Sequence, residues 1–168
     1  MTGPTTSSSS REDATESAQI CSVRVGDRLY GVPIRHILEI VGGACTQTVP
    51  LAPEFVGGLM HYRGDVLTTV SLRRLLGLPD GTAAQDLLVI ESREGSFGLL
   101  VDSVVEVMTA SPAGIEPIPA TVQLKRQALF AGACKLPDGL MIMLDPERLQ
   151  PLRLAMSGAG TRETSCAR

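Results

Sequence analysis

Residues 86–109 read DLLVIESREGSFGLLVDSVVEVMT. Three apolar runs of strand length follow one another, rich in Val, Leu and Ile and too short for buried helices. They predict strands over Asp86–Glu91, Ser96–Val101 and Val104–Thr109, with a turn at Glu94-Gly95. The same grammar extends toward the N-terminus. Cys21, Val23 and Val25 alternate with Ser22 and Arg24, and Gly26-Asp27 turns the chain into Arg28–Val32, which reads as a hairpin. Pro33–Val41 starts with a residue suited to a first helical turn and shifts to strand spacing near Glu39. Leu59–Tyr62 and Val66–Leu72 flank Arg63-Gly64-Asp65 as a second hairpin, followed by one or two helical turns to Leu78. Gly77–Gln85 is a break. Toward the C-terminus a Pro-rich connection, Ser111–Ala120, leads to a strand over Leu129–Leu136, a Pro137-Asp138-Gly139 turn, a strand over Leu140–Leu144 and a closing helix within Pro146–Leu154. Nine or ten short strands at this spacing, in two similar halves, predict an all-β chain of two small barrels rather than a βαβ sheet. Their expected limits are about 30–80 and 86–145, with the terminal strands and helix free to cross over.

Length and composition agree with this. A chain of 168 residues with 43% hydrophobic content can bury a core, and 17 Gly with 11 Pro favour turns over long helices. Residues 1–18 contain no Val, Leu, Ile or Phe, and 155–168 are similarly poor, so both ends are expected to be disordered tails around a domain at 19–154. No run approaches a membrane span and the N-terminus lacks an apolar signal core, so a cytoplasmic location is the expectation. The net charge of −3 gives no reason to bind nucleic acid.

Equipment for chemistry is sparse. Cys21, Cys45, Cys134 and Cys166 form no CxxC pair, so neither a metal site nor a disulfide framework is expected. Gly42-Gly43 and Gly57-Gly58 lack a phosphate-loop pattern, and no cofactor is expected. His61, Asp65 and Ser71 could be imagined as a hydrolase set, but no nucleophile elbow accompanies them. His36 sits among Ile34, Ile37 and Leu38 as a residue of a short helical turn, and Lys125-Arg126 reads as a solvated loop. Glu39 and Arg63 are different, because each charge is embedded in an apolar segment, and Arg offers a planar fork for a carboxylate. If they pair in a partly buried place, removing one strands the other at a cost of about 3–5 kcal/mol. Such a pair suits a brace at a barrel rim and equally a device that fixes a docking surface.

These residues resemble the CheW-like family, the coupling modules of chemotaxis signal transduction. Tyr30-Gly31-Val32-Pro33-Ile34 with Ile37-Leu38-Glu39-Ile40 resembles the family's opening. Pro53–Gly64 (PEFVGGLMHYRG) is similar to its P-x-[FY]-[IV]-x-G-x-x-N-x-R-G run, Phe97–Val107 to its [VF]-G-[LI]-x-V-D-x-V-x-x-V segment, and Leu140–Leu149 to its closing strand and helix. The blocks fall in family order over nearly all of 19–150.

The resemblance implies two SH3-like five-stranded barrels with a third apolar seam between them. It implies a non-enzymatic adaptor, a scaffold that couples the cytoplasmic tips of methyl-accepting chemoreceptors to a CheA-type histidine kinase of a two-component system. The kinase is engaged through its own CheW-like regulatory domain, contacts with further copies can build rings, and the membrane is reached only through receptors. By position, Glu39 and Arg63 match the family's paired acid and arginine. Ile37, Leu38, Val56 and Gly58 fall on the kinase-facing first barrel, and Phe97, Leu99, Val101 and Val104 near the receptor-facing groove. The chain departs from the pattern at His61, where the family has Asn, and at Ser71, where it has Asp, which predicts a looser turn or altered partner choice. Two other readings are an interaction module of a divergent two-component pathway and a small hydrolase using His61.

Overall fold

The computed structural model describes residues 17–158 apart from 82, 123 and 125, so most of both expected tails, Lys125 and Cys166 lie outside it. Eleven strands are present among the described residues: β1 (Ala18–Val25), β2 (Arg28–Pro33), β3 (Ile37–Val41), β4 (Val56–Tyr62), β5 (Asp65–Ser71), β6 (Asp86–Ser92), β7 (Gly95–Val101), β8 (Ser103–Ala110), β9 (Ile115–Glu116), β10 (Phe130–Leu136) and β11 (Gly139–Leu144). A single helical turn, α1 (Leu72–Leu75), follows β5, and α2 (Pro151–Gly158) closes the chain. The closing helix starts later than expected. Pro146 opens only a turn, whereas Pro151 takes the first helical position that its fixed φ suits, and the helix runs past Leu154.

The strands form two sheets, ordered β8-β1-β2-β11-β10-β9 and β3-β6-β7-β5-β4. This corrects the division into chain halves. β6 and β7 belong with β3–β5, while the N-terminal hairpin joins β8–β11. The reason is that after each of the two similar hairpins, β1–β2 and β6–β7, the chain crosses to the other sheet. β2 passes through the 3-10 turn Ile34–His36 into β3, and β7 passes through Asp102 into β8. Local patterning fixes hairpins but leaves their long-range partners open.

The sheets repeat one plan. Gly31 of β2 pairs in parallel with Met143 of β11, as Gly98 of β7 does with Thr69 of β5. Ser22 faces Glu106 across β1 and β8, as Val89 faces Glu39 across β6 and β3. Each sheet also closes on itself. After β3 the chain swings round so that Gln47 exchanges both backbone bonds with Leu59 of β4, at 2.8 Å each, although β3 and β4 are opposite edges. After β8 a 3-10 turn at Pro112–Gly114 brings β9 onto β10 in the same way. With β8 and β9 taken as one bent strand, each barrel has five. β9 escaped the sequence reading because two residues within a Pro-rich connection carry no period.

Both closures use a bulge glycine. Gly58 has φ +134°, and a Cβ there would sit 2.6 Å from the Gln47 carbonyl oxygen. Gly58→Ala therefore combines backbone strain with a clash against main chain and is expected to destabilise by about 1–3 kcal/mol. A shift in urea midpoint without loss of cooperativity checks this.

Three apolar clusters account for the doubly buried strands. Ile20, Met141 and Met143 fill one barrel, and Leu67, Leu87, Val89 and Leu100 fill the other. The largest cluster lies between the sheets and takes Val23, Tyr30, Val32, Leu88, Ile90, Phe97, Leu99, Val101, Ile142 and Leu144. Along β6, Leu87 and Val89 point into the barrel while Leu88 and Ile90 point into the seam. That is why these strands read as continuous apolar runs rather than alternating ones. The barrels share their main core and form one unit.

Candidate functional site

β3 and β8 are edge strands, and each is interrupted at the same place. The register between β3 and β6 shifts between Ile37 and Glu39, leaving Leu38 unpaired, and that between β1 and β8 shifts so that Val105 is unpaired. A bulge of this kind re-aims a side chain and blunts the edge against indiscriminate strand pairing. Leu38 is 47% exposed and Val105 44% exposed. Ile40 follows Leu38 and Val107 follows Val105, both also exposed. Each barrel thus presents two aliphatic side chains around a glutamate, Glu39 or Glu106, on a geometrically blocked edge.

The two surfaces differ in charge. On the first barrel, β4 and β5 join through a two-residue turn in which Arg63 (φ 49°) and Gly64 (φ 89°) both take positive φ, the requirement of the hairpin turn that matches strand twist. This swings the Arg63 guanidinium across the barrel opening to Glu39, Nη2 to Oε2 at 3.0 Å. The same guanidinium lies over the Tyr62 ring, 5.1 Å from its centroid. Partial desolvation and the nearby Glu39 carboxylate push the Tyr62 phenol above its ordinary range, against the opposing influence of Arg63. The corresponding turn of the second barrel is Pro137-Asp138, with no arginine to reach Glu106.

The expected Glu39–Arg63 pair therefore forms, but its side chains are 40% and 74% exposed, so the large penalty for stranding a buried charge does not apply. An exposed pair contributes about 0.2–1 kcal/mol. Its geometry matters more than its stability.

A second polar cluster fixes the crossover between barrels. The Asp102 carboxylate accepts from the Gly26 amide at 2.8 Å and from Arg73 of α1, while its own amide donates to the Arg24 carbonyl oxygen at 3.1 Å. Asp86 accepts from the Val104 amide at 2.9 Å. These bonds pin the start of β8 to β1, β6 and α1. Asp102→Ala leaves Arg73 and the Gly26 amide without their partner and is expected to cost about 1–3 kcal/mol, read as a lowered thermal midpoint.

Other candidate residues fall differently from expectation. Phe97, Leu99 and Val101 are buried in the seam, so a partner cannot touch them in the folded chain; Val104 is partly buried against the same core. The exposed positions of β8 are Val105 and Val107, one register step on. On the first barrel Ile37 and Val56 are partly buried against the seam, and Gly58 is buried in the barrel closure, which leaves Leu38 as the exposed member of that set. Ile40, Val105, Val107 and Tyr62 were missed. Alternation alone cannot tell which face of a doubly apolar strand looks outward, and the bulges reverse it.

Ser71 still caps α1, its Oγ accepting from the Arg74 amide at 3.4 Å; the matching turn after β11 uses Asp145, which accepts from the Glu147 amide at 3.1 Å. His61 is exposed on β4, beside a cleft lined also by Cys45, Thr46 and Gln47. Among the described residues no group of three or more His, Cys, Asp or Glu could hold a metal ion, and no helix is long and apolar enough to cross a membrane.

Comparison with known proteins agrees with the geometry. Residues 19–152 match the CheW-like domain model. The chain is 31% identical over 143 residues to the chemotaxis protein CheW of Helicobacter pylori, covering 84% of this chain and 86% of that one. It is 33% identical over 129 residues to a probable chemotaxis protein CheW of Rhizobium etli, covering 75% and 82%. The crystal structure of the scaffolding protein TtCheW from Thermoanaerobacter tengcongensis superposes with a TM-score of 0.72 at 26% identity, covering 79% of this chain and 87% of that one. The chain belongs to the CheW-like domain family, the coupling modules of chemotaxis signalling.

Proposed function

We propose that the chain is a non-enzymatic cytoplasmic adaptor that joins the tip of a methyl-accepting chemoreceptor to the CheW-like regulatory domain of a CheA-type histidine kinase. The observation that carries this reading is the pair of equivalent bulged edges, one with an arginine–glutamate clamp and one without. Two similar but chemically distinct surfaces on one rigid body suit two different partners. The first barrel, with Leu38, Ile40, Glu39 and Arg63, is the kinase-facing surface. β8, with Val105 and Val107 above Val104, faces the receptor. Aliphatic anchors inside a polar rim are the usual form of such contacts. A CheW-like kinase domain would carry a similar edge, so a second copy of this chain could take its place in a ring.

Arg63→Ala tests the clamp. It is expected to leave the melting temperature nearly unchanged, because the pair is exposed, while weakening binding to the kinase regulatory domain about tenfold, the scale of about 1.4 kcal/mol. Unaltered affinity for that domain would remove Arg63 from the docking surface.

A further inference from the structure

We propose that Tyr62 is a positioning residue that holds Glu39 and Arg63 in the single arrangement a partner reads. The inference rests on the docking role assigned above to the first barrel. Arg63 and Glu39 are long, exposed side chains, and an isolated surface pair of this kind spreads over many rotamers. Two features restrict it here. The turn locks the Arg63 backbone at positive φ, which directs its side chain back across the hairpin end. The Tyr62 ring then lies under the guanidinium at 5.1 Å, within the range where a cation is drawn to an aromatic face. Glu39 in turn meets the same guanidinium at 3.0 Å.

The three groups form a stack in which the ring restrains the guanidinium and the guanidinium restrains Glu39. Tyr62 itself is anchored, packing partly buried against the first-barrel cluster with Val41 and Met60. A mobile clamp is thereby tied to a fixed core. The second barrel has Leu136 at the matching place before its turn and no clamp to hold.

The test combines two variants with a readout that simple packing would not move. Tyr62→Phe keeps the ring under Arg63 and removes the hydroxyl; Tyr62→Leu removes both. Binding to the kinase regulatory domain is expected to stay near the wild-type value for Tyr62→Phe, which keeps the ring, and to weaken about threefold for Tyr62→Leu, the size of an exposed cation–π contact. In parallel, NMR titration of the Tyr62 ring, assigned with Tyr62→Phe, should show its deprotonation moving to lower pH in Glu39→Gln and to higher pH in Arg63→Gln.

A ring titration indifferent to both substitutions would overturn the proposal, as would wild-type affinity in Tyr62→Leu. If the titration moves and Tyr62→Leu weakens binding while Arg63→Ala does not, Tyr62 contacts the partner directly and its positioning role is overturned. If none of the three variants changes affinity although the titration moves, the docking assignment of the first barrel fails and the positioning role for a partner fails with it. If wild-type chain binds no kinase regulatory domain at all, the adaptor reading itself is refuted, independently of the titration.

Discussion

Phe97→Ala lowers the unfolding free energy by about 3–5 kcal/mol, the range for emptying a large aromatic site in a packed core. Phe97 is 1% exposed on β7 and belongs to the seam cluster rather than to either barrel interior. Its counterpart in the other sheet is Tyr30, whose ring stacks on Phe130 at 6.2 Å. Four aromatic rings, Tyr30, Phe55, Phe97 and Phe130, thus occupy the shared core in a chain with only three Phe and two Tyr. The cavity left at Phe97 is bounded by strands from both sheets, so neither barrel can relax alone to fill it. The same truncation at exposed Val107 should stay within about 0.5 kcal/mol. Denaturant unfolding checks both, and Phe97→Ala is expected to keep one cooperative transition, because the barrels share their main core. Two separated transitions would show that they fold independently.

The second large effect is on binding. Leu38→Asp is expected to weaken the complex with the kinase regulatory domain at least 30-fold, corresponding to the ~2 kcal/mol that marks an interface hot spot. Leu38 is the unpaired residue of the β3 bulge, with no cross-strand partner in β6. Its replacement disturbs no ladder bond, and stability should change by no more than about 0.5 kcal/mol. At the interface the change removes an apolar anchor and adds a carboxylate one residue from Glu39, where desolvation and like-charge repulsion act together. Val105→Asp on β8 makes the equivalent change on the other barrel and should spare kinase binding. Equal losses for both variants would show that the two edges serve one partner.

Much of this organisation was legible in the sequence. The hairpins at Gly26-Asp27 and Arg63-Gly64, the turn-to-strand passage at Ile34–Val41 and the Asp86–Val107 block all follow from period and turn chemistry. The contact between Glu39 and Arg63 was also foreseeable, because a charge within an apolar segment needs a partner. What was not legible came from three-dimensional closure. Nothing local in the β6–β7 hairpin says that it joins β3, β4 and β5, or that β1–β2 joins β8. Phe97, Leu99 and Val101 were placed near a receptor-facing groove by the resemblance alone; their strand is apolar on both faces, and only the seam between the sheets reveals that they are buried. Leu38 and Val105 are exposed through bulges, a departure from pairing that leaves no mark in the spacing of Ile37-Leu38-Glu39 or Val104-Val105-Glu106. Gly58 matched a family position, yet its role lies in the close approach of Gln47, which is a property of barrel closure.

The adaptor account is tested most directly by asking whether the chain bridges its two partners. A receptor cytoplasmic fragment is immobilised and offered the kinase regulatory domain, with and without the purified chain, and the kinase domain retained is measured. The account predicts retention only when the chain is present, loss of retention with Leu38→Asp while the chain itself stays on the receptor, and loss of both with Val105→Asp. Retention of the kinase domain to the same extent without the chain, or failure of the wild-type chain to bind either partner, would contradict it.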